Sequence, residues 1–286
     1  MPHPDPAFAP LPAGFSLLYL EVAGLRLALA HGGQGPPLVL VHGLGGSLED
    51  FFPLLPWLAP HRTCLALDLP GFGRSAKPDT PYTMAWFAEV LADLARELGL
   101  GPTAWLGHSM GGQVLLTLAT RRPARVAGLG LICPAGGMGR SLGRRVLLRA
   151  AVCPGERTWL VRPNLAPLVA GRVYSWRNDP TRPALAARLT ARWSREDRPH
   201  LERALVRAAR ATLSASGRPP GDLPEVPLLI IGGRDDTVIQ PREISRLAAQ
   251  IGARARLAWL PGTHMLPYTH AASLAGLLLP FFRYVI

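Results

Sequence analysis

Short apolar runs alternate with segments of helical periodicity along most of this 286-residue chain. Residues 15–22 and 25–30 alternate between apolar and polar positions, and Ala23-Gly24 between them is typical of a hairpin turn. Six further runs are almost continuously apolar, as in strands buried on both faces of a parallel sheet. They lie at 37–41, 63–67, 103–106, 126–133, 226–231 and 255–260. The pattern therefore predicts eight strands.

Helical periodicity fills the segments between these strands. Thr83 is a predicted N-cap for a helix that ends near Leu98, with Gly99 as its stop. Ser47 is a second predicted N-cap, and further helices are expected at 241–251 and at 271–284, the latter interrupted at Pro280. Strands that alternate with helices indicate an α/β fold with a doubly wound, mostly parallel eight-stranded sheet.

The strand pattern stops between residues 136 and 220, where arginine-rich amphipathic helices are predicted at 184–192 and 201–213. We expect this segment to form a helical cap inserted after the sixth strand. The predicted organisation is a flexible, proline-rich leader that is disordered or draped (1–14), a core (15–135 and 221–286) and the cap (136–220).

The net charge of +12 is concentrated in the cap. Residues 136–220 hold 17 arginines and five acidic residues, a surplus of 12 that equals the charge of the whole chain. A solvated basic face is the favoured interpretation, and attraction of an anionic ligand, partner or membrane surface is the alternative. No nucleic-acid partner is expected, and the oligomeric state is left open.

Several classes of protein are not favoured by the composition. The chain has no run of 18 uncharged apolar residues, so no transmembrane segment is expected. The first 15 residues lack the basic and apolar regions of a signal peptide, and the three cysteines have no metal-binding spacing. We therefore expect a cytoplasmic protein without a metal or cofactor.

The sequence Gly107-His108-Ser109-Met110-Gly111 carries the chemistry of greatest interest. It follows a predicted strand and precedes a predicted helix, which is the context of a nucleophile elbow. A serine at such a sharp turn adopts a strained backbone, and Gly107 and Gly111 leave room around it.

Three predicted loops at the carboxyl ends of strands offer partners for Ser109. Asp235-Asp236 follows the run 226–231, and His264 follows the run 255–260. A glycine-rich loop after residues 37–41, which begins at His42-Gly43, would let backbone N–H groups approach an oxyanion. Serine, acid and histidine occur in the chain order of the α/β-hydrolases.

From about residue 18 to residue 282 the chain resembles the capped α/β-hydrolases, which include carboxylesterases, lipases and relatives of the ring-cleavage-product hydrolases. The motifs GHSMGG, HGLGGS and DLPGFGRS carry the resemblance. It implies Ser109 as nucleophile, His264 as general base and Asp235 as the orienting acid. It also implies an oxyanion hole made by the backbone N–H groups of Leu44 and Met110, with Gly43, Gly107 and Gly111 as the loop and elbow glycines.

Alternatives exist for two of these roles. Asp235 is the predicted acid because it completes a G-x-x-D turn counted from Gly232, and Asp236 is the competing acid. His270 competes with His264 as base. The remaining polar residues are interpreted structurally: His42 and His108 as loop-packing residues and Asp68 as the brace of its own turn. No acid follows the sixth strand, where Cys133-Pro134-Ala135 stands.

The predicted function is hydrolysis of carboxylic esters by two-step acyl transfer. Substrates would be small esters with an apolar acyl chain or an anionic group, and Leu147, Leu148, Val152, Leu160 and Val161 of the cap would form the acyl pocket. Carbon–carbon bond hydrolysis, acyl transfer to another acceptor and perhydrolysis use the same triad. A catalytically silent fold that binds a ligand or partner is the alternative from another class. A serine nucleophile disfavours haloalkane dehalogenases and epoxide hydrolases, which resemble this pattern but use aspartate.

Overall fold

The computed structural model describes residues 8–137, 152–153, 156–158, 161–169, 182–215 and 223–285. Eight strands within these ranges form one sheet. They are β1 (Phe15–Val22), β2 (Leu25–Gly33), β3 (Pro37–Val41), β4 (Thr63–Leu67), β5 (Thr103–His108), β6 (Val126–Ile132), β9 (Leu228–Gly233) and β10 (Ala255–Leu260). Their order in the sheet is β1-β2-β4-β3-β5-β6-β9-β10. A short antiparallel pair, β7 (Val152–Cys153) and β8 (Arg157–Thr158), lies in the predicted cap.

The sheet is mostly parallel. β1 and β2 form an antiparallel hairpin, and β2 is also antiparallel to β4. The remaining neighbours pair in parallel from β4 through to β10. Every residue of β5 and β9 is buried, as expected for strands covered on both faces. The predicted fold class, a mostly parallel eight-stranded α/β sheet, is confirmed.

Helices flank the sheet. In the core they are Leu55–Leu58, Met84–Glu97, Met110–Arg121 (the elbow helix), Pro241–Ile251, Leu266–Thr269 and Ala271–Phe282. In the predicted cap they are Ala166–Val169, Arg182–Trp193 (the short cap helix) and Arg198–Ala215 (the long cap helix). The Thr83 side chain accepts a hydrogen bond from the Trp86 N–H, which confirms the predicted N-cap. Within the described ranges, no helix is both long enough and apolar enough to cross a bilayer.

One strand lies two residues later than the sequence predicts. The run 226–231 suggested the strand, but β9 extends from Leu228 to Gly233. Gly232 and Gly233 pair with β10, and the Trp259 ring packs where a side chain on Gly232 would stand. Glycine is usually a strand breaker. At Gly232, however, glycine is required, because the Trp259 ring on the neighbouring strand occupies the space of a side chain.

The last helix runs through Pro280 without the predicted interruption. Pro280 lies in the final turn, and both it and Gly276, four residues earlier, are exposed. The Gly276 carbonyl, which loses its partner because proline has no N–H, can therefore bond to water. The cost of one proline at this position is small enough for the helix to tolerate.

Ion pairs join the predicted cap to the predicted core. Arg192 lies 3.1 Å from Glu49, and Lys77 lies 3.0 Å from Asp197. Arg207 of the long cap helix contacts Asp79 and is 2.7 Å from Glu156. Arg192 and Arg207 are therefore each matched by an acidic group. Of the residues predicted to line an acyl pocket, Leu147, Leu148 and Leu160 lie outside the described residues, Val152 begins β7, and Val161 is buried.

The first described residues, Phe8 and Ala9, contact residues of both the predicted core and the predicted cap. The Phe8 ring lies beneath the guanidinium of Arg74 at 3.9 Å and near that of Arg192 at 5.1 Å. The Ala9 N–H donates to Glu49 at 2.9 Å. Phe8 and Ala9 thus contact both parts of the chain.

Candidate active site

Ser109 occupies the sharp turn between β5 and the elbow helix. Its backbone has φ 54° and ψ −117°, a conformation rarely adopted by non-glycine residues and typical of strained functional positions. A Cβ on Gly107 would lie 2.7 Å from the Gly112 nitrogen, and one on Gly111 would collide with the Val41 carbonyl oxygen. Only glycine fits at either position, as the elbow pattern predicted.

The structure brings Ser109 and His264 together. The Ser109 Oγ lies 3.0 Å from His264 Nε2, so the hydroxyl can donate to the ring nitrogen. On the other side of the ring, His264 Nδ1 lies 2.8 Å from Asp236 Oδ2 and donates to that carboxylate. All three side chains are buried. They form a continuous hydrogen-bonded line from hydroxyl to carboxylate, which is the arrangement of a catalytic triad.

The expectation that Asp235 faces His264 is wrong. Asp235 instead contacts Gly262: its N–H donates to the Gly262 carbonyl at 3.0 Å, and its Oδ2 accepts the Gly262 N–H at 3.2 Å. The error arises from the strand end. Because β9 continues to Gly233, the G-x-x-D turn begins at Gly233 and ends at Asp236.

The Asp236 carboxylate is held by backbone donors as well as by the imidazole. Its Oδ1 accepts the N–H groups of Val238 at 2.8 Å and Ile239 at 2.9 Å. Burial acts to raise the pKa of Asp236, but the hydrogen bond and charge of His264, together with these N–H groups, hold the pKa below its ordinary value. The carboxylate therefore remains charged opposite His264.

His42 and His108 join the loops that carry the site. His108 Nε2 donates to the His264 carbonyl at 2.9 Å. His42 Nδ1 donates to the Gly43 carbonyl at 2.7 Å, and its Nε2 accepts the Leu69 N–H at 2.9 Å. Burial lowers the pKa of His42 to about 4, and burial with a smaller effect of His264 lowers the pKa of His108 to about 3. Both imidazoles are neutral near pH 7, in agreement with the predicted loop-packing roles.

Asp68 and His270 have structural surroundings. Asp68 accepts the Leu48 N–H and the Arg74 N–H, both at 2.7 Å, so it braces its own turn and the segment after Ser47. His270 Nδ1 lies 2.8 Å from the Thr269 hydroxyl, and His264 is the histidine bonded to Ser109. His270 is therefore not placed as the base.

The glycine-rich loop lies against the serine. A Cβ added at Gly43 would lie 3.0 Å from the Ser109 Cβ. Among the described residues, no acceptor bonds the backbone N–H of Leu44 or of Met110; Leu44 is exposed, whereas Met110 is buried next to Ser109. The long cap helix contacts this loop at Gly45, where an added Cβ would lie 3.2 Å from the Leu205 side chain.

Cys133 is a neighbour of the site that the sequence did not reveal. One ligand-type atom each of Cys133, Asp236 and His264 lies within 4.8 Å of the others. The three residues come from separate strand ends, so their proximity has no signature in sequence spacing. Burial, and the charge of Asp236, raise the pKa of the Cys133 thiol well above its ordinary value. Because metals bind the thiolate, this chemistry suits a hydrogen-bonded group better than a metal site.

A family model described as alpha/beta hydrolase fold matches residues 36–271. The chain is also similar to a solved structure, a hydrolase from Pseudomonas aeruginosa PA01. The TM-score is 0.78 at 26% identity, with 95% of this chain and 99% of that one covered.

Two curated relatives extend the comparison. A pimeloyl-[acyl-carrier protein] methyl ester esterase of Methylococcus capsulatus is 32% identical over 209 residues, which are 73% of this chain and 70% of that protein. The dihydrolipoyllysine-residue acetyltransferase component of the acetoin cleaving system of Pseudomonas putida is 44% identical over 118 residues. This match covers 41% of this chain and only 32% of that longer protein. Since the family model covers most of the chain, the protein belongs to the α/β-hydrolase family.

Proposed function

We propose that this protein is a serine hydrolase that cleaves carboxylic esters through an acyl-enzyme on Ser109. The observation that carries the proposal is the hydrogen-bonded line from Ser109 through His264 to Asp236 at a strained elbow. A weak nucleophile such as a serine hydroxyl needs a base within hydrogen-bond reach and a third group that orients the base.

In the first step the Ser109 oxygen attacks the ester carbonyl while His264 Nε2 takes the hydroxyl proton. The backbone N–H groups of Leu44 and Met110 would stabilise the negative charge on the carbonyl oxygen. Asp236 holds the ring by its Nδ1–H and stabilises the imidazolium without taking the proton. The alcohol then leaves with the proton from His264. In the second step water attacks the acyl-enzyme by the same route and releases the acid.

Ester hydrolysis is favoured over the other reactions of this triad by one comparison. A relative from Methylococcus capsulatus that matches 73% of this chain is a pimeloyl-[acyl-carrier protein] methyl ester esterase. Carbon–carbon bond hydrolysis remains the second candidate, and Met265-Leu266-Pro267 after the histidine departs from the sequence usual in ring-cleavage hydrolases.

A panel of p-nitrophenyl esters of graded acyl length tests the proposal. The wild-type protein should hydrolyse at least one ester, and Ser109→Ala should lower kcat by ~10⁴-fold or more. The melting temperature of the variant should stay close to that of the wild type, which separates catalysis from folding. Full activity in a folded Ser109→Ala variant would remove Ser109 from the mechanism. A wild type that is inert on esters but cleaves a vinylogous 1,5-diketone would favour the carbon–carbon reaction.

A further inference from the structure

Cys133 occupies a fixed position at the end of β6. Its backbone has φ 45°, and its N–H donates to the Ile231 carbonyl of β9 at 2.8 Å. A left-handed conformation is costly for a residue with a Cβ. Cysteine is held there by the ends of two strands, so its side chain has a defined direction.

The residues beside Cys133 hold the nucleophile. The Ser109 N–H donates to the Ile132 carbonyl at 2.9 Å, and the Ala135 N–H donates to the Ser109 carbonyl at 3.1 Å. The same short segment therefore fixes the Ser109 backbone and directs the thiol of Cys133 to the other end of the hydrogen-bonded line.

The thiol lies close to the carboxylate of Asp236. An ionised carboxylate offers about four lone-pair sites. Three are used by His264 Nδ1–H and by the N–H groups of Val238 and Ile239. The Cys133 Sγ lies within 4.8 Å of an oxygen of the same carboxylate, and of these two groups only the protonated thiol has a hydrogen to donate.

We propose that Cys133 is a positioning residue whose thiol donates to Asp236 and keeps that carboxylate directed at His264. This inference rests on the proposed function, since it assigns Cys133 a part in preparing the triad. The thiol stays protonated, and so remains a donor, because it is buried beside a negative charge.

Removing the donor has a predictable effect on the pH profile. With one hydrogen bond fewer, the Asp236 charge is less compensated and holds the imidazolium proton more strongly. The Asp236–His264 pair then takes up its proton at higher pH, and activity on the acidic side is lost earlier. The other titratable groups around the pair are His108 with His42 behind it, Asp235 in the same loop and His270 before the last helix. A substitution at Cys133 changes none of them.

The test compares Cys133→Ala, Cys133→Ser and Cys133→Gly. A small fluorophosphonate reports the reactivity of Ser109 without any knowledge of the natural substrate. We expect its labelling rate, and kcat/KM on an ester, to fall ~10-fold in the alanine variant and to return to within ~3-fold of wild type in the serine variant, which keeps a donor. The acidic limb of the pH–activity profile should move to higher pH by about half a unit in the alanine variant and stay in place in the serine variant. The glycine variant also lacks the thiol, and glycine suits the φ of 45°. It should show the same slower labelling and the same shift of the acidic limb, and it provides the test if the alanine variant folds poorly.

Cys64→Ala is the matched control. Cys64 is the other described buried thiol, and its Sγ donates to the Arg62 carbonyl at 3.6 Å, away from the site. The Cys64→Ala variant should have the labelling rate and the pH profile of the wild type. Wild-type rates and an unmoved acidic limb in the alanine and glycine variants would overturn the inference, as would a serine variant as slow as alanine. Failure of the wild type to label at Ser109 would instead count against the proposed function.

Discussion

His264 Nδ1 lies 2.8 Å from Asp236 Oδ2, whereas the adjacent Asp235 turns to the backbone of Gly262. The two aspartates thus hold the same loop in different ways. Asp236 bonds the imidazole itself, and Asp235 anchors the backbone two residues before His264. Only the first of these contacts compensates the charge that develops on the ring.

Substitution of the two aspartates should separate these roles. Asp236→Asn is expected to lower kcat by ~10³–10⁴-fold, because the imidazole loses its charged orienting partner. Asp235→Asn should lower kcat less than ~10-fold, because the asparagine oxygen can still accept the Gly262 N–H. Steady-state kinetics of both purified variants on one ester decides between them. A larger loss of kcat in Asp235→Asn than in Asp236→Asn would identify Asp235 as the orienting acid.

Stability should fall in mild acid because of the buried histidines. His42 has a pKa of about 4 in the folded protein against an ordinary value of 6.5. The unfolded chain therefore takes up a proton at a higher pH than the folded protein, and stability is lost as pH falls from about 6.5 to about 4. The shift corresponds to about 3 kcal/mol for His42.

Urea unfolding of wild type, His42→Asn and His61→Gln at several pH values tests this expectation. The decline between pH 6.5 and 4.5 should be smaller in His42→Asn and unchanged in His61→Gln, since His61 is exposed. The comparison between variants cancels the contribution of Asp68, whose pKa burial raises and which acts in the opposite sense. If the free energy of unfolding fell equally with pH in all three proteins, His42 would not be the cause of the acid destabilisation.

The ion pair between the cap and Glu49 should contribute to stability. Arg192 and Glu49 are 3.1 Å apart with side chains about one-tenth exposed, and Arg192 also donates to the Ser47 hydroxyl. Arg192→Gln leaves the buried Glu49 carboxylate with Arg74 at 3.2 Å as its remaining cation and should cost about 2 kcal/mol. The control Arg96→Gln removes an exposed arginine paired with Asp93 and should cost under about 0.5 kcal/mol. Equal urea midpoints for the two variants would contradict this role for Arg192.

The sequence predicts the fold well because its signals are local. Buried strands appear as apolar runs, and Thr83 at the start of its helix is visible as a cap. Two details depend on tertiary contacts and were predicted wrongly. β9 extends to Gly233 although the glycines suggested its end: Trp259 packs against Gly232, and the carbonyls of Gly262 and Thr263 leave no room for a side chain on Gly233. Pro280 is accommodated in an exposed final turn.

The candidate site shows the same division. Ser109 and His264 follow from motifs within a few residues of each one. The choice between Asp235 and Asp236 depends on where β9 ends. The apolar run ends at residue 231, two residues before the strand does, and this led to the prediction of Asp235 in place of Asp236. Cys133 had no sequence signal as a neighbour of Asp236, because more than 100 residues separate the two and only the sheet order brings them together.

Peptide mapping by mass spectrometry after treatment with a fluorophosphonate tests the assignment of the nucleophile most directly. The reagent phosphonylates a serine only when a base and an oxyanion site activate it, so heat-unfolded protein serves as the control. We predict one adduct per chain, located on Ser109, and none in Ser109→Ala or in the unfolded protein. An unlabelled native protein, or an adduct that persists in folded Ser109→Ala, would contradict the assignment of Ser109 as an activated nucleophile.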